Sequence, residues 1–313
     1  MKNIKWGIIG SGKIARRFAA DLTLLDSAIL VGSASRNNEN NKKFSEEFGI
    51  TPFSSVNELL SSDIDVVYIA TPHSSHREHS IKAILAGKAV LCEKPFAMNY
   101  AEAQEIIDHA KLKNIFVMEA MWTRFFPAIQ EVIELVKAGK IGKLLRIESS
   151  FGYESVFDPN SRVFNPHLGG GSLLDVGVYC ISLARMLTDE TSEEIHCTAQ
   201  LSSTGVDESA SWSIAFPSGI IAASESSVVN ILKNQARIIG TNGEIIIPQF
   251  WRPKEYLLNG ELRRFEFEGL GLQFEAKEVM DCLGKGFIES PLMNHRQTLD
   301  VMKMMDAIRK LLR

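Results

Sequence analysis

The chain has 313 residues, which is enough for about two domains of ordinary size. Its content of 45% hydrophobic and 23% charged residues is typical of globular proteins and excludes a wholly disordered chain. The formal net charge of −4 argues against nucleic acid as a partner of the whole chain.

No apolar run approaches the about 18 residues that a membrane span needs, and we expect no membrane association. The N-terminal apolar stretch is too short for a signal peptide. The four cysteines, at positions 92, 180, 197 and 282, form no C-x-x-C pair and indicate neither a metal site nor a disulfide framework. We therefore expect a cytoplasmic protein with reduced thiols.

Predicted strands and helices alternate over the first 120 residues, which is typical of βαβ units and a parallel sheet. The predicted strands are Trp6–Ile9, Ala28–Val31, Asp65–Ala70, Ala89–Cys92 and Ile115–Met118. The predicted helices are the stretch from Ile14 to Leu25, His76–Ala86 and Ala101–Ala110. We interpret residues 1–120 as an α/β Rossmann domain.

After Pro127 the pattern changes to one helix, Ile129–Lys137, followed by strands with no helix pattern between them. These strands are Leu144–Phe151, Ile195–Leu201, Ser211–Phe216, Ile220–Val229, Ala236–Ile247 and Leu262–Phe267, with a hairpin turn at 241–244. They predict an α+β domain over residues 121–313 with a large, mostly antiparallel sheet. A tail helix, 294–312, is placed to pack back on the first domain.

The first predicted turn fits the dinucleotide-binding pattern G-x-G-x-x-A. It follows a strand and opens a helix, so its glycines allow a tight turn and a close approach to a pyrophosphate. The residues are Gly10, Ser11, Gly12, Lys13, Ile14 and Ala15. A glycine turn without a ligand is the alternative.

The end of the second strand indicates which nicotinamide cofactor is bound. An acidic residue there would bind the ribose 2′-hydroxyl of NAD, but the sequence has Ser35 and Arg36 instead. A guanidinium favours a 2′-phosphate, so we predict NADP, with NAD as a second possibility. The alternative is that Arg36 is a solvated loop charge.

Three further segments carry side chains suited to chemistry. Thr71, Pro72, His73 and His76 follow a parallel strand at the edge where such sheets bind ligands. Glu93, Lys94 and Pro95 directly follow another strand, and this proline is a candidate for a cis peptide bond. The third segment is a glycine run, 169–171, that precedes Asp175 and Tyr179, four residues apart.

The glycine turn and these three segments, in this order and spacing, resemble the Gfo/Idh/MocA oxidoreductase family over nearly the whole chain. The segment 118–127, Met-Glu-Ala-Met-Trp-Thr-Arg-Phe-Phe-Pro, is most similar to the branch of dimeric dihydrodiol dehydrogenases and glucose–fructose oxidoreductases. The resemblance implies that Lys94 is the catalytic lysine, Tyr179 the acid/base and Asp175 a supporting residue. It also implies that Arg162 contacts the cofactor.

The chemistry agrees with the resemblance. Oxidation of a secondary alcohol needs a base for the hydroxyl proton, and a tyrosine with its usual pKa of about 10 is a poor base unless an ammonium stabilises the phenolate. We predict hydride transfer between NADP and a vicinal diol or sugar, in a cleft where Lys94 meets Tyr179. An aldose dehydrogenase or aldonolactone-forming enzyme and a catalytically silent NADP-binding regulator are the alternatives.

Two expectations concern the substrate and the oligomer. Trp122, Phe125 and Phe151 are candidates for an aromatic substrate pocket, although core packing explains them equally well. The long second sheet has no helices in sequence to cover its outer face, so we expect a homodimer or a higher homo-oligomer.

Overall fold

The computed structural model describes residues 3–312, which divide into two compact units. The first unit contains the chain up to Ala120 together with residues 267–298. The second contains residues 121–266 and the chain from Leu299 onward. The sequence pattern groups residues 267–298 with the second domain, whereas in the structure they belong to the first.

The first unit is built on a six-stranded parallel sheet with the strand order β3-β2-β1-β4-β5-β6, the order of a doubly wound dinucleotide-binding fold. Its strands are β1 (Ile4–Ile9), β2 (Ala28–Ala34), β3 (Thr51–Pro52), β4 (Val66–Ile69), β5 (Ala89–Glu93) and β6 (Val117–Ala120). The predicted Rossmann architecture is thereby confirmed.

The helices of this unit include three that have no counterpart in the sequence prediction. The helices are α1 (Lys13–Leu22), α2 (Asn38–Phe48), α3 (Val56–Ser61), α4 (His76–Leu85), α5 (Tyr100–Lys113) and α8 (Leu272–Gly284). The three not predicted are α2, α3 and α8. Under α1, the rings of Phe18 and Tyr68 stack with their centroids 3.8 Å apart.

A buried carboxylate explains why α8 belongs to the first unit. Asp21, at the end of α1, is 3% exposed and accepts hydrogen bonds from the backbone N–H groups of Leu270 (2.9 Å) and Leu272 (2.9 Å). These donors lie at the start of α8, where a helix has unsatisfied N–H groups and favours negative charge. Asp21 therefore caps α8 from a distant part of the sequence.

The second unit is built on an eight-stranded sheet with the order β14-β13-β12-β11-β7-β10-β9-β8. Its strands are β7 (Leu144–Gly152), β8 (Glu194–Leu201), β9 (Asp207–Ala215), β10 (Ile221–Ser227), β11 (Gln235–Gly240), β12 (Gly243–Pro248), β13 (Glu255–Leu258) and β14 (Glu261–Arg264). Among the described strands of this second sheet only β7 and β10 pair in parallel, so the predicted mostly antiparallel sheet is confirmed.

The helices of the second unit are α6 (Pro127–Lys137), α7 (Val178–Thr188) and most of α9 (His295–Leu311). A π-helical turn, Leu173–Gly177, leads directly into α7. Residues 166–188 are long and apolar enough to cross a membrane, but 89% of the most apolar window is buried, as in a core helix. This core helix positions the site described next.

Candidate functional site

The turn after β1 has the geometry that the glycine pattern predicts. Gly10 has a φ of +117°, and a Cβ at this position would lie 2.5 Å from the carbonyl oxygen of Ala70. Gly12 precedes α1, and a Cβ there would meet nothing within 4 Å. The turn therefore leaves open space in front of the helix N-terminus, where a pyrophosphate fits.

A pocket of about 220 Å³ lies between this turn and the end of β2. Its walls include Ser35 and Arg36, and the hydroxyl of Ser11 donates to that of Ser35 at 3.1 Å. None of its lining residues is acidic, and Arg36 supplies a permanent positive charge. This composition suits a phosphate group beside the adenosine ribose.

The structure brings together seven of the predicted cofactor residues in this pocket: Gly10, Ser11, Gly12, Ser35, Arg36, Thr71 and Pro72. Lys13 and Ile14 belong to the first turn of α1 and are not among its lining residues. His73 and His76 are buried outside the lining, whereas His79, which sequence reasoning missed, lies in it.

His76 holds two loops of the first unit together. Its two ring nitrogens lie 2.9 Å from the carbonyl oxygens of Thr71 and Pro95, and the Lys94–Pro95 peptide is cis. Burial lowers the pKa of His76 to about 4, so the ring is neutral and donates to one of the two carbonyls. The histidine therefore positions the segment that carries Lys94.

Glu93, immediately before Lys94, is 8% exposed and lies at the end of β5. Its carboxylate accepts hydrogen bonds from the hydroxyl of Tyr68 and from the backbone N–H of Lys94, the latter at 3.2 Å. Burial, followed by the charge of Glu93, raises the pKa of Tyr68, so this hydroxyl keeps its proton.

A second acid, Glu275 in the first turn of α8, is completely buried near Glu93 and Asp21. Neither of its carboxyl oxygens has a hydrogen-bond partner among residues 3–312. Burial and then the charges of Glu93 and Asp21 raise its pKa. Because Glu93 receives two donors and Glu275 none, we assign the proton to Glu275.

In the second unit, Tyr179 lies among aromatic side chains. Its hydroxyl accepts a hydrogen bond from Nε1 of Trp122 at 3.1 Å. Its ring centroid is 5.4 Å from that of Phe151, which stacks on Trp251 at 4.0 Å. Two of the three predicted pocket aromatics thus surround Tyr179, while Phe125 is buried at 6% exposure.

Asp175, in the π-helical turn before Tyr179, is 5% exposed and forms an ion pair with Arg162. Nη1 of Arg162 donates to Oδ1 of Asp175 at 2.8 Å, and the hydroxyl of Tyr153 donates to Oδ2. The charge of Asp175 is the main cause that raises the pKa of Arg162, whereas burial is the main cause that raises the pKa of Tyr153. Sequence reasoning missed Tyr153.

The glycine run before this turn allows other parts of the same chain to approach its backbone closely. A Cβ at Gly170 would lie 2.7 Å from the carbonyl oxygen of Val163, and one at Gly171, with φ +113°, would lie 2.3 Å from Oδ1 of Asp207. The sequence prediction ascribes this run to close approach of a ligand. The structure assigns the space beside Gly170 and Gly171 to the chain's own backbone and to Asp207.

Asp207, at the start of β9, anchors the beginning of the helix that bears Tyr179. Oδ2 of Asp207 accepts from the backbone N–H of Leu173 at 2.6 Å and from the hydroxyl of Ser172 at 2.8 Å. Burial raises the pKa of Asp207, and these two donors partly oppose that shift. Asp207 thus fixes where the π-helical turn starts.

Comparison with known proteins identifies both units. Residues 4–121 match the family described as "Oxidoreductase family, NAD-binding Rossmann fold". Residues 129–246 match the GFO/IDH/MocA C-terminal domain. Together these two matches cover most of the chain.

Two relatives that match over nearly the full length are named for the same activity. The chain is 37% identical over 318 residues to trans-1,2-dihydrobenzene-1,2-diol dehydrogenase of Xenopus tropicalis, covering 96% of each chain. It is 31% identical over 323 residues to the Homo sapiens protein of the same name, covering 98% of this chain and 96% of the relative.

A solved structure has the same fold throughout. The aldose–aldose oxidoreductase of Caulobacter crescentus, complexed with glycerol, superposes with a TM-score of 0.89 at 25% identity, covering 99% of this chain and 97% of that one. From the two matched domains and these full-length similarities, the chain belongs to the GFO/IDH/MocA family of oxidoreductases.

Proposed function

We propose that this chain is an NADP-dependent dehydrogenase that transfers a hydride between the nicotinamide and the carbinol carbon of a vicinal diol or a sugar. The observation that carries the proposal is the setting of Tyr179, whose phenol hydroxyl is bonded to Trp122 inside an aromatic cluster. A flat carbocyclic diol fits such walls. Relatives at 31–37% identity are named as dehydrogenases of a dihydrobenzene diol.

The cofactor is assigned from the pocket of the first unit. The open space at Gly12 suits a pyrophosphate, and Ser35 and Arg36 suit a 2′-phosphate, with no carboxylate in the lining to oppose it. NAD, which lacks this phosphate, is the weaker cofactor in this proposal. The nicotinamide supplies the hydride acceptor or donor.

Tyr179 is the proposed proton carrier for the substrate hydroxyl. The N–H of Trp122 stabilises the oxygen of Tyr179 as it becomes phenolate, because a hydrogen bond to a charged acceptor is stronger than one to a neutral acceptor. Arg162 compensates the nearby charge of Asp175, which would otherwise oppose a second negative charge. Lys94 is proposed to donate to the substrate oxygen.

Kinetics of matched variants test these roles. Tyr179→Phe keeps the ring and removes the proton carrier, so kcat should fall by about 10²–10⁴ while NADP affinity is unchanged. Lys94→Met should cost a similar factor, and the double variant should be little worse than either, since groups that act as a unit are not additive. Tyr100→Phe, on α5, is the control. A near-normal kcat for Tyr179→Phe on the best substrate refutes the assignment.

A sugar is the second candidate substrate. The similarity to an aldose–aldose oxidoreductase over 99% of this chain favours it, and aromatic walls also bind the apolar faces of sugars. A panel of dihydrodiols, polyols and aldoses with both cofactors separates the two candidates. A protein that binds NADP but turns over no member of the panel would instead support the regulator alternative.

We further propose a homodimer formed through the outer face of the eight-stranded sheet. This face has a shallow concavity of about 620 Å³ lined by small and charged side chains, among them Glu148, Ser213 and Arg237. The lining residues are mostly polar or charged in type, but apolar atoms contribute more of the lining surface than polar atoms do, in keeping with the partly apolar face expected from the sequence. Ser213→Arg should dissociate the dimer, whereas the exposed Ser61→Arg in the first unit should not. A wild-type mass near 34.8 kDa by light scattering refutes the proposal.

The state of the thiols supports a proposal for the compartment. Cys92, Cys180, Cys197 and Cys282 are all free. Free thiols are usual where glutathione keeps proteins reduced, so we propose a cytoplasmic location. Cell fractionation with the cofactor-binding activity as the marker tests this location.

A further inference from the structure

His79 lines the cofactor pocket of the first unit, although no motif points to it. It lies on α4, one turn after the buried His76, and is only partly exposed. It lines the same pocket as Ser35 and Arg36. Arg36 and His79 are the only ionisable side chains among the residues that line this pocket.

One ring nitrogen of His79 is already engaged. Nδ1 lies 3.3 Å from the hydroxyl oxygen of Thr71, which follows β4 and also lines the pocket. If Thr71 donates to Nδ1, Nε2 carries the proton of the neutral ring. Nε2 has no hydrogen-bond partner within the described part of the chain, residues 3–312, and so remains available as a donor.

Burial and two nearby cations favour the neutral form of the His79 ring when no anion is near. Burial is the largest cause that lowers the pKa of His79, and the cations Lys82 on α4 and Arg36 after β2 lower it further. Glu78, also on α4, opposes them. The neighbouring ring of His76 is neutral, with a pKa of about 4, and Thr71 brings no charge.

A phosphate dianion placed beside Arg36 changes this balance. It would share with His79 a pocket of about 220 Å³ whose lining contains no carboxylate, and a nearby anion favours the imidazolium form. An imidazolium then donates from both nitrogens, one of them to the phosphate. NAD has a hydroxyl in place of this phosphate and gives no such stabilisation.

We propose that His79 is a second 2′-phosphate-binding residue, which takes up a proton from solvent when NADP binds and makes the preference for NADP over NAD increase as the pH falls. The inference rests on the proposed function in that it takes NADP as the cofactor. Arg36 carries a constant positive charge. His79 adds a second positive charge that appears only when the ligand is bound.

Cofactor binding, measured without turnover, tests the inference. The dissociation constants of NADP and NAD are measured by isothermal titration calorimetry between pH 6 and 8.5 for the wild type and for His79→Gln. The matched control is His109→Gln on α5, whose Nδ1 bonds the backbone oxygen of Glu105 outside the pocket. Both variants remove one histidine from the first unit.

At pH 6 the wild type should prefer NADP over NAD about tenfold more strongly than His79→Gln does, and the two should converge at pH 8.5. The phosphate itself titrates near pH 6, but it does so equally in both proteins and cancels in the comparison. Calorimetry in two buffers with different ionisation enthalpies should show proton uptake by the wild type on binding NADP and not on binding NAD. His109→Gln should behave as the wild type.

The possible outcomes separate this inference from the proposed function. If the wild type binds neither cofactor, both are refuted. If NADP binds but the wild type and His79→Gln show the same pH dependence, only the role of His79 is refuted. An equal loss of NADP and NAD affinity would show instead that His79 contacts the adenine. If His79→Gln does not fold, His79→Lys replaces it, and this permanent cation should keep strong NADP preference at pH 8.5.

Discussion

Replacing Glu275 by glutamine should make the stability of the first unit less sensitive to pH. Glu275 is fully buried without a hydrogen-bond partner for either oxygen within residues 3–312, and its pKa is raised above the ordinary value of 4.5. At pH values between 4.5 and the folded-state pKa, the folded state therefore keeps a proton on Glu275 that the unfolded state releases. The stability contributed by this group is fully present below pH 4.5 and is lost as the pH rises toward and through the folded-state pKa.

The magnitude follows from proton linkage. One proton bound only in the folded state changes the free energy of unfolding by about 1.4 kcal/mol per pH unit. Between pH 5 and pH 7, Glu275→Gln should therefore gain up to about 2.7 kcal/mol relative to the wild type. With a urea m-value of about 2 kcal/mol/M, the difference between the two midpoints should change by up to about 1.4 M.

The assay is urea unfolding at several pH values, followed by fluorescence and by amide hydrogen exchange in α8, which reports the first unit separately. Glu268→Gln, at an exposed position before α8, is the control and should show no such trend. If the difference between Glu275→Gln and the wild type does not change with pH, Glu275 is not the protonated member of the buried acids.

Three further predictions concern the cofactor pocket of the first unit and the surroundings of Tyr179 in the second. Arg36→Ala should weaken NADP binding about tenfold or more and leave NAD binding unchanged, and equal losses in fluorescence titrations would show that Arg36 does not contact the 2′-phosphate. Trp122→Phe removes the donor to Tyr179 while keeping a ring, and should lower kcat about tenfold with little change in NADP affinity. Asp207→Ala leaves the backbone N–H of Leu173 without its acceptor, while the hydroxyl of Ser172 keeps Ser226 as a partner, and should destabilise the second unit by about 1–3 kcal/mol in thermal unfolding. Asp207→Asn retains one acceptor oxygen and should cost less.

Periodic apolar patterns located most elements of the fold. The strand predicted at Ala89–Cys92 is observed at Ala89–Glu93, and the helix predicted at Ala101–Ala110 is observed at Tyr100–Lys113. The segment predicted as one strand, Ala236–Ile247, is two strands joined by a turn at the expected place. A turn inside a continuous apolar run does not interrupt the apolar pattern, so only its Asn-Gly pair reveals it.

The sequence did not predict α2 and α8, and each failure has an identifiable physical cause. In α2, only Asn41, Phe44 and Ser45 are buried, so its polar sequence has almost no apolar face to recognise. The start of α8 is fixed by Asp21, some 250 positions away, which no local pattern encodes. Tertiary contacts decide such elements.

The site was predictable where its residues belong to compact motifs. The turn at Gly10 and the pair Ser35 and Arg36 lie together because the carboxyl ends of neighbouring parallel strands share one edge. Tyr153 and Trp251 were not predictable in this way, since neither belongs to a motif and the partner of each lies in a separate segment of the chain. Tyr153 lies just beyond the end of β7, so strand alternation does not place it either.

The cap on α8 has a consequence for synthesis of the chain on the ribosome. All six strands of the first sheet have been made by Ala120, but the N–H groups that bond Asp21 belong to residues 270 and 272. At about 5–20 residues per second, the roughly 150 residues in between take about 8–30 s to translate. During this interval the nascent first unit lacks the helix that satisfies the carboxylate of Asp21, so it is then most exposed to chaperones and proteases.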